Sequence, residues 1–129
     1  MIGILIVTHG NLAREMVSAM EHVVGPQPDV DTVCIGASED LEECRQTIIQ
    51  KVEKLDSGSG VCILTDMFGG TPSNLSISVM SGRNVEVVAG LNLPMLIKMV
   101  REREKPLKEL ALLSAESGKK YINVASELL

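Results

Sequence analysis

Four short strand-like runs set the limits on how this chain can fold. They are Ile2 to Thr8, Val30 to Ile35, Val61 to Thr65 and Val85 to Ala89, and the first and third are almost wholly apolar. Between them lie segments with helical spacing of apolar residues. After the first run, Leu12, Met16, Met20 and Val24 recur every four residues, with Asn11 as a predicted N-cap and Gly25-Pro26 as a stop. After the second, Leu41, Cys44, Ile48, Val52 and Leu55 share one face of a helix expected from about Glu39 to Leu55. Strands that alternate with helices, and that are apolar without a polar face, predict a parallel sheet covered on both sides. The fold class expected is therefore α/β, a three-layer sandwich with a mainly parallel sheet.

Three further helices follow from cap chemistry. Thr71-Pro72 reads as an N-cap with proline at the first helical position, opening a short helix to about Met80. Pro94 opens another, carrying Leu96, Ile97, Met99 and Val100. Pro106 opens the last, with Leu107, Leu110, Ala111 and Leu113 inward and Gly118 as the stop. The tail from Tyr121 to Val124 begins with strand-favouring residues and predicts a short final strand. No repeat or linker divides residues 1–129, so one domain is expected.

The composition narrows the function. A formal charge of −5 lacks the basic footprint that nucleic acid or an anionic membrane surface requires. One Phe, one Tyr and no Trp leave few platforms for stacking bases. Cys34, Cys44 and Cys62 are odd in number and scattered, which suits reduced thiols in a cytoplasmic protein better than a disulfide framework or a zinc site. The apolar start, MIGILIV, is too short to cross a membrane, so direct membrane insertion is not expected.

In parallel α/β sheets, ligands bind beyond the carboxyl ends of the strands. That places chemistry at two loops, Thr8-His9-Gly10 and Asp66 to Thr71. From position alone, His9 either caps a helix or offers a ring nitrogen as a nucleophile. Asp66 either caps its own turn or fixes the tautomer of His9 and offsets charge on the ring. Gly69-Gly70-Thr71-Pro72 supplies close backbone approach, a hydroxyl and a helix start, all suited to a phosphoryl group, although it also suits an ordinary turn. Thr8, Gly69, Gly70 and Thr71 are the predicted phosphoryl-binding residues. His22 lies inside a helix and is read as structural.

Other chemistries lack their signatures. There is no GxxxxGK[ST] loop, and Gly58-Ser59-Gly60 precedes a strand instead of opening a helix. No HExxH or Cys/His cluster points to a metal, and no cofactor is implied. A receiver domain also places an aspartate after its third strand, but it needs an acidic pair after the first, where Thr8 and His9 stand.

The motifs IVTHG, LTDMFGGTPSN and VVAGLNLPML, in that order, resemble the mannose-family IIA domains of the bacterial phosphoenolpyruvate-dependent sugar phosphotransferase system. The likeness runs from Met1 to about Gly118. It implies that His9 accepts a phosphoryl group from the histidine phosphocarrier protein and passes it to a IIB partner. It also implies that Asp66 is the active-site aspartate, and that Thr71 is the hydroxyl after the paired glycines. A homodimer is implied too, with the sheet completed by an antiparallel edge strand exchanged between subunits; the segment from Tyr121 is its candidate. Where some sugar-transport members carry Trp in the loop, this chain has Phe68. A regulatory phosphorylation sensor acting on a target protein, or the phosphoryl-donor subunit of a dihydroxyacetone kinase, would share such a site.

Overall fold

The computed structural model describes residues 1–129. Its elements are β1 (Gly3–His9), α1 (Leu12–Val24), β2 (Val30–Ile35), α2 (Leu41–Leu55), β3 (Val61–Thr65), α3 (Thr71–Ser78), β4 (Val85–Ala89), α4 (Leu93–Arg101) and α5 (Leu107–Lys120). The four strands form one sheet in the order β2-β1-β3-β4, and every neighbouring pair is parallel. The α/β sandwich predicted from the alternation is the fold observed.

Alternation along the central strands feeds two separate cores. Ile4 and Ile6 of β1, with Cys62 and Leu64 of β3, pack under α1, α4 and α5 against Met20, Leu96, Met99 and Leu110. Leu5 and Val7, with Val61 and Ile63, face the other way, against Ile48 and Val52 of α2. Ile4, Leu5, Ile6 and Val7 are each completely buried. Burial of such side chains contributes about 1.5–3 kcal/mol apiece, so β1 anchors both layers. Burial also holds the Cys62 thiol far above its ordinary value, with Glu86 adding to the effect, which leaves it protonated and inert.

Several boundaries depart from the sequence expectations for local reasons. α2 starts at Leu41 and not Glu39, because Asp40 is the cap: its Oδ1 accepts from Glu43 N–H at 2.9 Å. Thr71 is the first residue of α3, with Gly70 at the cap position, and α3 stops at Ser78, short of Met80. Asn92 caps α4, its Oδ1 accepting from Met95 N–H at 3.1 Å. Gly118 does not end α5, which continues to Lys120. Its missing side chain serves close packing instead: a Cβ there would lie 3.0 Å from Met95 Cε, and Asn92 Nδ2 donates to the Gly118 carbonyl at 2.9 Å.

The predicted tail strand is not present in the single chain. Residues 122–124 take no ladder, and a 3₁₀ turn follows at Ala125–Glu127. A strand exists only through hydrogen bonds to a neighbour, and here the tail lies off the sheet with Tyr121, Ile122 and Val124 exposed.

At the amino-terminal edge, Arg103, in the turn between α4 and α5, is almost fully buried. Its guanidinium donates to the carbonyls of Ile2 at 2.9 Å, Pro28 at 2.5 Å and Asp29 at 2.9 Å. These bonds supply acceptors to a charge that could not otherwise be buried.

Candidate functional site

His9 is the last residue of β1, and Asp66 follows directly on β3. The two strands are neighbours at the centre of the sheet, with Val7 opposite Thr65. Beyond β1 the chain crosses toward β2, and beyond β3 toward β4. The connections diverge between them and leave a crevice at the topological switch point. The two loops singled out in the sequence meet in that crevice.

Asp66 is held by three N–H groups. Its Oδ2 accepts from the His9 backbone N–H at 3.0 Å and lies 2.8 Å from His9 Nδ1, while its Oδ1 accepts from Met67 N–H at 3.0 Å. Burial alone would raise the Asp66 carboxyl. The ring and backbone hydrogen bonds from His9, with the attraction of the ring's charge, outweigh it and hold the carboxyl below its ordinary value. An ionised carboxylate only accepts, so Nδ1 carries the proton. In the neutral ring, Nε2 is then the nitrogen with the free lone pair. The His9 side chain is 50% exposed and that of Asp66 13%, so the carboxylate is sheltered and the ring accessible.

Gly70 stands against the Cε1–Nε2 edge of the ring. A Cβ at this position would lie 2.8 Å from His9 Cε1 and 3.2 Å from Nε2, so only glycine leaves the ring its place. Gly69 adopts φ +91°, a left-handed conformation that favours glycine. The N–H groups of Gly70, Thr71 and Ser73 take no partner in the backbone hydrogen-bond network, whereas Asn74 N–H already donates to the Gly70 carbonyl at 2.9 Å. Unpartnered N–H groups and the amino-terminal end of α3 thus begin where Gly70 meets the ring. Thr71 lines the depression beside His9, together with Gly10, Ile35, Glu39 and Leu41.

Thr8 corrects one expectation. It is fully buried, and its Oγ1 accepts from Ala13 N–H at 2.7 Å. Thr8 therefore caps α1 from the end of β1, the task predicted for Asn11, whose side chain makes no capping bond. His22 lies in the last turn of α1, outside the crevice. Sequence reasoning gave no role to Gly10, which turns at φ +53° and carries its N–H to the Ile35 carbonyl at 2.8 Å, holding His9 against the end of β2.

A parallel α/β domain with a histidine–aspartate pair at its switch point, facing a glycine turn and a helix start, is the class that fold and site define. A family model described as "PTS system fructose IIA component" (EIIA-man) matches residues 3–112, and the chain belongs to that family of phosphotransferase-system IIA components. It is 34% identical over 124 residues to the mannose-specific EIIAB component of Escherichia coli strain K12, covering 94% of this chain and 38% of that protein. It is also 32% identical over 97 residues to the sorbose-specific EIIA component of Lacticaseibacillus casei, covering 74% of this chain and 70% of that one. The chain thus spans well under half the length of the mannose-specific relative. Among solved structures, the EIIA component from Streptococcus agalactiae superposes with a TM-score of 0.89 at 29% identity, covering 98% of this chain and 99% of that one. The mannose/sorbose-specific IIA subunit from Enterococcus faecalis gives 0.87 at 26% identity, over 95% and 93%. No helix is long and apolar enough to cross a membrane.

Proposed function

We propose that this chain is a cytoplasmic phosphoryl carrier in which His9 Nε2 accepts a phosphoryl group from the histidine phosphocarrier protein and passes it to a IIB partner during sugar uptake. The observation that carries the reading is the division of labour on one ring. Nδ1 is bound to Asp66 at 2.8 Å, and Nε2 is left without a hydrogen-bond partner beside Gly70, on a side chain that is half exposed.

The transfer is an in-line exchange between two imidazoles. The Nε2 lone pair forms a bond to phosphorus as the donor's P–N bond breaks, and the departing imidazole keeps that electron pair. The His9 ring, still protonated on Nδ1, then carries positive charge, which the Asp66 carboxylate offsets. The phosphoryl oxygens carry about two negative charges and need donors. The N–H groups of Gly70, Thr71 and Ser73 and the Thr71 hydroxyl fill that need. Catalysis is then positioning and electrostatics, as in other phosphoryl transfers. Thr8 contributes by fixing the turn from β1 into α1. Gly69 contributes by shaping the loop.

The carrier acts as a homodimer in this reading. The exposed tail residues Tyr121, Ile122, Val124, Leu128 and Leu129 support it, since so much apolar surface at one terminus suits burial against a second copy.

The test is direct. Incubated with enzyme I, phosphoenolpyruvate and the histidine phosphocarrier protein, the chain should take up one phosphoryl group, labile to acid and stable to base as a phosphoramidate is. His9→Ala should take up none, and His22→Ala should behave as wild type. Labelling that survives in His9→Ala defeats the proposal.

A further inference from the structure

The two edges of the sheet are finished differently. On β2, Ile4 N–H donates to the Asp29 carbonyl and Gly10 N–H to that of Ile35. Odd-numbered positions therefore turn their backbone groups toward β1, and Val30, Thr32 and Cys34 turn theirs outward. Thr32 is the middle of that outer row, and both of its backbone groups are taken by side chains. Its N–H donates to Asp31 Oδ1 at 2.7 Å, and its carbonyl accepts from Lys51 Nζ at 2.6 Å. Lys51 reaches over from α2, and its Nζ also lies 3.4 Å from the same Asp31 Oδ1, which closes a bracket across the edge.

On β4 a carboxylate–lysine pair is also present, Glu86 Oε2 lying 3.8 Å from Lys108 Nζ, but its lysine donates to no strand carbonyl and the outward carbonyls are left open. Val61 N–H donates to the Asn84 carbonyl and Gly90 N–H to that of Thr65, so even-numbered positions face β3 and Val85, Val87 and Ala89 face outward. The one side chain that meets this row is Glu86, whose Oε1 accepts from Val87 N–H at 3.3 Å. No side chain donates to the three outward carbonyls.

We infer that the Asp31–Lys51 bracket closes the β2 edge of the sheet to strand addition. The partner it excludes is a second copy of β2. The sequence VDTVCI has strand-favouring residues and neither Pro nor Gly, so nothing else in it opposes pairing. Two such edges related by a two-fold axis would be self-complementary and would join two sheets into one. An arriving strand must displace both bonds at Thr32. It would also leave an ammonium and a carboxylate against a backbone that no longer needs them, which is unfavourable for charged groups. The bracket takes no part in the chemistry at His9, and the inference stands apart from the phosphoryl-carrier reading.

The experiment uses the full chain with Asp31→Ala and Lys51→Ala combined, and with Lys51→Ala alone. Both side chains are about one-third exposed, so the fold should survive, and a urea transition checks that it does. Sedimentation velocity over a wide concentration series should show the double variant forming a particle about twice the wild-type mass, as isologous pairing requires. Amide exchange at Thr32 and Cys34 should slow as concentration rises, most in the double variant, less in Lys51→Ala and not in wild type. Lys51→Arg, which keeps a charged donor, should sediment as wild type. Identical sedimentation of double variant and wild type at every concentration overturns the inference. So does a larger particle whose new protection lies on β4 and not at Thr32 and Cys34. The single variant should shift in the same direction to a smaller extent, and its behaving as wild type while the double variant associates would assign the block to Asp31 alone, contrary to the bracket.

Discussion

Asp66 Oδ2 receives the backbone N–H of His9 at 3.0 Å and lies 2.8 Å from the ring Nδ1 of the same residue. One oxygen thus fixes both the position of the histidine along its strand and the orientation of its ring. Asp66→Asn is nearly isosteric and should keep the fold. An amide cannot offset charge on the phosphorylated ring, so acceptance from the histidine phosphocarrier protein should slow by roughly 10²–10⁴, the range for orienting and acid–base groups. Rapid-quench measurement of labelling decides it, and a wild-type rate would remove Asp66 from the mechanism.

Gly70→Ala separates stability from chemistry. Gly70 sits at φ −88°, ψ 172°, a conformation open to alanine, so the backbone should bear the change within about 1 kcal/mol. The new methyl would meet His9 Cε1 and Nε2, and the ring must move. Displacement of about 1 Å at a reacting group costs up to about a hundredfold in rate. Unfolding midpoints close to wild type with slowed labelling are expected. Unchanged labelling would show that the ring tolerates the methyl.

The depressed Asp66 carboxyl makes a statement about acid stability. A carboxyl lowered on folding contributes stability that is complete above its unfolded value, about 3.9 for Asp, and is lost as pH falls through the lower folded value. Urea unfolding in steps through the acid range should therefore show wild type losing stability more steeply than Asp66→Asn in that window. At neutral pH the two should be separated by their full difference. Parallel profiles would mean that the His9 contacts do not bias the carboxyl.

Deleting residues 121–129 tests the assembly. The segment follows α5 and is exposed throughout, so its loss should leave the single chain folded. The intact protein should sediment as a homodimer and the shortened one as a weaker dimer or a monomer. A monomeric intact chain would refute the assembly, as would a dimer indifferent to the deletion.

Much of this organisation was legible in the residues. β2, β3 and β4 begin and end where the strand-like runs do: β3 is apolar and buried throughout, while β2 and β4, at the sheet edges, are bounded by the turn residues around them and admit Asp31, Thr32 and Glu86. His9 and Asp66 were legible as a pair, since strand order in such sheets places their loops together. Cap assignments fared worse where the capping atom is distant in sequence. Asn11 looks like the cap of α1, yet the bond comes from Thr8, reached only once β1 has turned. Gly118 looks like a stop, yet its role is set by Met95 and Asn92 on another helix. The tail could not be settled from a single chain at all, because a strand's hydrogen bonds belong partly to its partner. Arg103 carried no local signal, since its three acceptors lie in a different part of the chain.

That last residue has a kinetic consequence. Arg103 joins the chain to Ile2 across 101 positions, and to Pro28 and Asp29 across 75 and 74. Contacts that close loops of this length carry a high closure cost and are expected to form after β1, β2 and α4 have docked. Interactions absent from the transition state slow unfolding without hastening folding. Arg103 is thus expected to act as a latch, fastened after the sheet is assembled, and unfolding and refolding rates of Arg103→Met measured by stopped flow would check it. Its loss would shorten the lifetime of the native chain while leaving the time taken to reach it unchanged.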